Sequence, residues 1–134
     1  MKLQTLIIDD NAVIHFLHSE IVSDGGITDT PYTFLHGKEA MQFLLNNQVS
    51  GDVYFILLDL NMPVMNGWQF LDELQKHSFK SRTYVSIVSS SVDTADKVKA
   101  QQYPQVIGFF EKPFSENDCE IIKNSEVLKP FFSV

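Results

Sequence analysis

Four apolar runs in this chain each stop at a charged or hydroxyl residue. Leu6-Ile7-Ile8 meets Asp9-Asp10, Val53 to Leu58 meets Asp59, Tyr84 to Val88 meets Ser89-Ser90-Ser91, and Val106 to Phe110 meets Glu111-Lys112-Pro113. Largely apolar runs of this kind, set between segments of helical spacing, read as parallel strands buried on both faces. Strands and helices in strict alternation imply right-handed crossovers and helices on both sides of one sheet. Ligands of such open sheets bind beyond the carboxyl ends of the strands. Asp9, Asp10, Asp59, Ser89 and Lys112 are therefore expected to converge on one sheet edge.

The expected strands are Leu3 to Asp9, Thr28 to Phe34, Val53 to Asp59, Tyr84 to Val88 and Val106 to Glu111. The second is the poorest, because Asp29 and Pro31 interrupt it, which suits an edge strand. Helical stripes lie between them. Val13, Ile14, Leu17 and Ile21 follow Asn11 and end near Gly25-Gly26; Ala40, Phe43 and Leu44 close at Asn46-Asn47; Phe70, Leu71 and Leu74 follow the Asn66-Gly67 turn signal. A fourth helix, Thr94 to Gln101, has only Ala95 and Val98 to turn inward, so it is expected to be loosely held. A fifth begins after Pro113 with Ser115 as N-cap and Glu116 in its first turn. Cys119, Ile122 and Leu128 face inward on it, and Pro130 ends it. Residues 1–128 are read as one domain and 129–134 as a short tail, which packs on the domain rather than meeting a partner.

The 134 residues fit one domain, and a domain of this size buries roughly two-thirds of its unfolded surface. A lone Cys119 excludes an internal disulfide and fits a reducing compartment. No apolar run approaches the ~20 residues of a membrane span, and no signal-peptide pattern follows Met1-Lys2. The expected location is the cytoplasm. A net charge of −7 and a single Arg82 disfavour nucleic-acid binding.

At a strand end, the Asp59 carboxylate can attack phosphorus and become an acyl phosphate. Attack on an anionic phosphoryl group needs positive charge nearby. A divalent ion held by Asp9 and Asp10 supplies it, and hard oxygen ligands suit Mg²⁺. Lys112 supplies a fixed cation, and Ser89 can donate a hydrogen bond to a phosphoryl oxygen. Each signal alone is weak, since an Asp after an apolar run usually ends a strand and a Lys-Pro pair usually makes a solvated turn. Their ordered appearance at the ends of strands one, three, four and five carries the argument. His15 and His18 stand one helical turn apart, but they and His36 and His77 are not read as metal ligands.

Over about Leu3 to Leu128 the chain resembles the receiver domain of two-component response regulators, in the manner of single-domain chemotaxis regulators. The resemblance rests on Ile7 to Asn11, on Leu57-Leu58-Asp59-Leu60-Asn61-Met62-Pro63-Val64-Met65-Asn66-Gly67, on Ser89 to Ser91, and on Glu111-Lys112-Pro113-Phe114. It implies a flavodoxin-like (βα)5 sandwich with five parallel strands in the order 2-1-3-4-5. It implies that Asp59 accepts a phosphoryl group from a phosphohistidine on a sensor histidine kinase or histidine phosphotransfer protein. Asp10, Asp9, Asp59 and the backbone carbonyl of Asn61 would hold Mg²⁺, Lys112 would contact the phosphate, and Ser89 and Phe109 would form the switch. The surface of helix four, strand five and helix five would then rearrange to bind a downstream target protein.

With Phe rather than Tyr at position 109, that switch would rest on packing alone. Two further readings are kept: an intermediate carrier in a phosphorelay, and a receiver-like binding module that never takes phosphate. A phosphatase needs a second carboxylate two residues past Asp59, where Asn61 stands, so the chain is not expected to be an enzyme beyond its own phosphorylation and dephosphorylation. Neither a membrane nor a nucleic acid is expected as partner, and both a monomer and a phosphorylation-promoted dimer remain open. The start at Met1 and the finish without a linker favour a natural single-domain regulator over a piece of a longer protein.

Overall fold

Each of the four apolar runs forms a strand, and each of those four strands feeds two cores. The computed structural model describes residues 2–48, 51–91 and 93–133. In chain order the elements are β1 (Leu3–Ile8), α1 (Ala12–Asp24), β2 (Tyr32–Phe34), α2 (Gly37–Asn46), β3 (Val53–Leu58), α3 (Gly67–Leu74), β4 (Thr83–Ser89), α4 (Thr94–Ala100), β5 (Val106–Glu111) and α5 (Glu116–Lys123). Short 3₁₀ turns lie at Ser78–Arg82 and Lys129–Phe131. The five strands form one parallel sheet in the order β2-β1-β3-β4-β5, the flavodoxin-like arrangement.

Side chains alternate across a strand, so neighbouring residues serve opposite faces. Leu6, Ile8, Ile56 and Leu58 join Leu44, Phe70, Leu71 and Leu74 in the core under α2 and α3. Ile7, Phe55 and Leu57 join Val22, Phe114, Cys119 and Ile122 in the core under α1 and α5. Burial on both faces is why β3 is apolar from end to end. Among the described residues no helix is long and apolar enough to cross a membrane.

Several expected boundaries move, each for a physical reason. β2 starts only at Tyr32, because Pro31 has no N–H for the ladder. On α1 the inward positions are His18, Val22 and half-buried Ile14 and Ile21, whereas Val13 and Phe16 are 73% and 70% exposed. Leu17, also expected inward, lies at the surface. On α4, Ala95 and Val98 are exposed and Ala100 is buried instead. That helix is fastened by other means. Asp93 caps it, the Lys99 ammonium lies 4.5 Å from the Trp68 ring centroid, and Trp68 stacks on Tyr103, whose hydroxyl donates to Asp72 Oδ1 at 2.6 Å. α5 ends at Lys123 with Asn124 as its cap, so Pro130 does not terminate it and sits instead in the following 3₁₀ turn. Leu128 is fully buried after the chain turns back, and Phe131 and Phe132 pack against the second core.

α1 and α5 approach so closely at Gly25 that an added Cβ would lie 2.5 Å from Cys119 Sγ. Gly25→Ala should therefore cost about 1–3 kcal/mol by overpacking. A urea titration should show a lower midpoint with an unchanged slope; an unchanged midpoint would mean that the helices separate freely.

Candidate functional site

Hydrogen bonding between strands runs one residue past their ends, and this places the site. Asp9 N–H donates to Phe34 C=O at 3.1 Å, Asp59 N–H to Ile8 C=O at 3.0 Å and Lys112 N–H to Ser89 C=O at 2.8 Å. Three of the candidate residues thus start from backbone that the sheet itself fixes. Asp9 and Asp59 are 2% and 3% exposed, Ser89 is buried, and Asp10 faces solvent. One carboxylate oxygen from each of Asp9, Asp10 and Asp59 lies within 4.8 Å of the others. Lys112 Nζ sits 2.7 Å from Asp9 Oδ2 and 3.3 Å from Asp59 Oδ1.

The loops between strand and helix hold these groups in place. Asn11 N–H donates to Asp9 Oδ1 at 3.0 Å, while the Asn11 side chain accepts from the N–H groups of Val13 and Ile14 and caps α1. Asn61 N–H donates to Asp59 Oδ1 at 3.3 Å. The loop then folds back, with Gly67 N–H donating to Leu60 C=O at 3.0 Å. A Cβ at Gly67 would lie 2.6 Å from the Asp59 carbonyl oxygen, so only glycine permits this approach. Between them Val64 has φ 69° inside a turn closed by Met65 N–H donating to Pro63 C=O. A β-branched residue there is strained. A capping box between Asn66 and Gln69 fixes the exit into α3. Ser89 Oγ accepts from Ser91 N–H at 3.3 Å.

Phe109 is half-buried against the α2–α3 core and borders a cavity of about 320 Å³ shared with Lys97, Ala100, Gln101, Val106 and Gly108 of α4 and β5. Two histidines outside the expected set bond to backbone next to these residues. His15 Nε2–H donates to Asp9 C=O at 2.6 Å, and His18 Nε2 accepts from Phe114 N–H at 3.1 Å. Their one-turn spacing was the only signal.

Burial, reinforced by the Asp9 charge, pushes the Asp59 carboxyl above its ordinary range, and the opposing pull of Lys112 and the Asn61 N–H does not cancel this. Burial pulls the Lys112 ammonium down, but its hydrogen bond to Asp9 and the charges of Asp59 and Asp9 outweigh it, so the group stays charged. Three carboxylates therefore face one ammonium. That arrangement leaves negative charge to be met by a cation.

A carboxyl whose pKa is raised on folding destabilises the fold where it must ionise. The cost is absent below about pH 4 and grows as pH rises through the folded-state value. Metal-free Asp59→Asn should therefore melt above the wild-type protein at pH 7, with the gap closing near pH 3. A thermal melt showing a less stable variant at neutral pH, or a gap indifferent to pH, would contradict this charge balance.

The family model described as response regulator receiver domain matches residues 5–122. A protein-glutamate methylesterase/protein-glutamine glutaminase of Treponema denticola is 33% identical over 127 residues, covering 94% of this chain. This chain spans only 32% of that protein's length. Two-component response regulator 24 of Arabidopsis thaliana is 28% identical and covers 85% of this chain and 76% of its own. A crystal structure of a two-component response regulator from Cytophaga hutchinsonii superposes with a TM-score of 0.86 at 28% identity, covering 95% of this chain and 97% of that one. With the strand order and the acidic cluster already in place, these matches lead to one assignment: the chain belongs to the response regulator receiver domain family.

Proposed function

We propose that Asp59 is the phosphoacceptor of this domain and takes its phosphoryl group from a phosphohistidine on a sensor histidine kinase or histidine phosphotransfer protein. The observation that carries the reading is the Lys112 ammonium set between the buried carboxylates of Asp9 and Asp59, with Asp10 beside them. The Asp59 oxygen attacks phosphorus as the phosphorus–nitrogen bond breaks, and the leaving imidazole keeps the bond pair and takes up a proton. Lys112 offsets the charge on the phosphoryl oxygens, and Ser89 donates its hydroxyl to one of them.

The excess of carboxylate over ammonium, all hard oxygen donors, fits Mg²⁺. Asp9, Asp10, Asp59 and the Asn61 carbonyl would hold it. The ion supplies, when bound, the positive charge that lets one anion approach another.

Residues 1–128 act as the receiver and 129–134 as its tail. Val13 and Phe16 leave an apolar face of α1 open beside Asp10, suited to a protein partner. Phosphorylation draws Ser89 toward the phosphate and opens space into which Phe109, at the edge of the cavity beside α4, repacks, which changes the α4–β5–α5 surface for a downstream target. Incubation with acetyl phosphate and Mg²⁺ should give an adduct of one phosphoryl group on Asp59 by mass spectrometry, lost with chelator and in Asp59→Asn. Amide resonances of Phe109 and α4 should move in the same sample. An adduct that survives in Asp59→Asn would overturn the assignment, and unmoved Phe109 and α4 resonances would overturn the switch.

A further inference from the structure

We infer that His18 is a positioning residue for phosphoryl transfer: its buried imidazole fixes the segment that carries Lys112, so that the ammonium stays seated on Asp9 and Asp59. The inference rests on the reading of Asp59 as phosphoacceptor and adds to it a residue outside the charged cluster. His18 is 1% exposed on the inner face of α1, where a helix of this packing normally places an aliphatic side chain. Its Nε2 accepts the N–H of Phe114 at 3.1 Å, and its ring meets the Phe114 ring edge-on with centroids 6.4 Å apart. Phe114 is fully buried and lies just before Ser115, the N-cap of α5, so its N–H is outside the helix and needs an acceptor from elsewhere. An aliphatic residue at position 18 would fill the space and leave that donor unmet.

Two residues earlier, Lys112 N–H is held from the opposite side by Ser89 C=O at 2.8 Å. The stretch Lys112-Pro113-Phe114 is thus pinned between β4 and α1. His15, one turn before His18, donates to the Asp9 carbonyl at 2.6 Å. The two imidazoles act with opposite polarity: one grips the chain that bears Asp9, the other the chain that bears Lys112. Between those grips lies the 2.7 Å contact of Lys112 Nζ with Asp9 Oδ2. Burial keeps His18 neutral, with its pKa pushed down to about 4, so the Nε2 lone pair is available at physiological pH. The same geometry places the ring proton on Nδ1.

The test compares His18→Leu, which keeps bulk without an acceptor, with His18→Gln, whose amide oxygen can reach the Phe114 N–H. Acetyl phosphate with Mg²⁺ should label His18→Leu about tenfold more slowly than wild type, as for loss of a group that orients an active one. His18→Gln should recover most of the rate, and the ¹⁵N-detected Lys112 ammonium signal should broaden in His18→Leu alone. Wild-type rate and an unchanged Lys112 signal in His18→Leu would overturn the inference, as would a His18→Gln variant no better than His18→Leu. If wild type takes no phosphate, the phosphoacceptor reading fails, while the Lys112 signal still decides the role of His18. If His18→Leu does not fold, the wild-type imidazole decides: an unprotonated Nε2 coupled to the Phe114 amide supports the inference, and a protonated Nε2 overturns it.

Discussion

Lys112 reaches across the sheet edge to two carboxylates that the fold has removed from water, and the rest of the site follows from that contact. Asp9 and Asp59 each lie within 4.8 Å of the other, which at an effective dielectric of about 20 makes them repel by about 3 kcal/mol or more. One ammonium between them relieves this repulsion, but it cannot also neutralise Asp10. The parallel sheet sets the terms, because adjacent strands deliver both acids to the same level: Asp59 N–H bonds to the carbonyl of Ile8, next to Asp9. Removing either acid would ease the repulsion and also remove a prospective metal ligand. The strain in charge is therefore inseparable from the proposed metal site.

Around that centre, different elements do different work. β1, β3 and β5 set the positions of the charges, while α1 steadies two of the chains that bear them through His15 and His18. α3 starts from a capping box that fixes the tight loop after Asp59. α4 stands apart, holding to the rest through Ala100 and through Lys99 on the Trp68–Tyr103 stack rather than through a deep apolar stripe. An element held by a few specific contacts can change position with less loss of packing than one rooted in the core. Trp68 lies one residue past Gly67, so the residue that follows the Asp59 loop in the chain also meets α4 through Lys99.

The sheet was legible because strands packed on both faces leave largely apolar runs, and β1, β3, β4 and β5 did. β2, three residues long and preceded by Pro31, carried the weakest signal and was expected too early. Helix faces were harder to read. Hydropathy alone chose Val13 and Leu17 on α1, yet the inner face holds His18 and Gly25, one a polar group with a buried partner and the other a gap that admits Cys119. On α4 the buried residue is Ala100, whose small side chain gives periodicity little to detect. The candidate carboxylates and Lys112 could be found because strand ends are where this class of sheet gathers ligands. The role of His18 could not, since a histidine on a helix reads the same whether it faces water or the backbone N–H of a residue 96 positions away.

The central claim is that burial and crowded negative charge, only partly met by Lys112, prepare Asp59 for a divalent cation and a phosphoryl group. A ¹³C NMR titration of the Asp59 carboxyl, run without metal and again with saturating Mg²⁺, tests it directly. The Asp59 pKa should lie above the ordinary carboxylate range without metal and fall markedly once Mg²⁺ is bound. A value at or below that range without metal, or one indifferent to Mg²⁺, would contradict it.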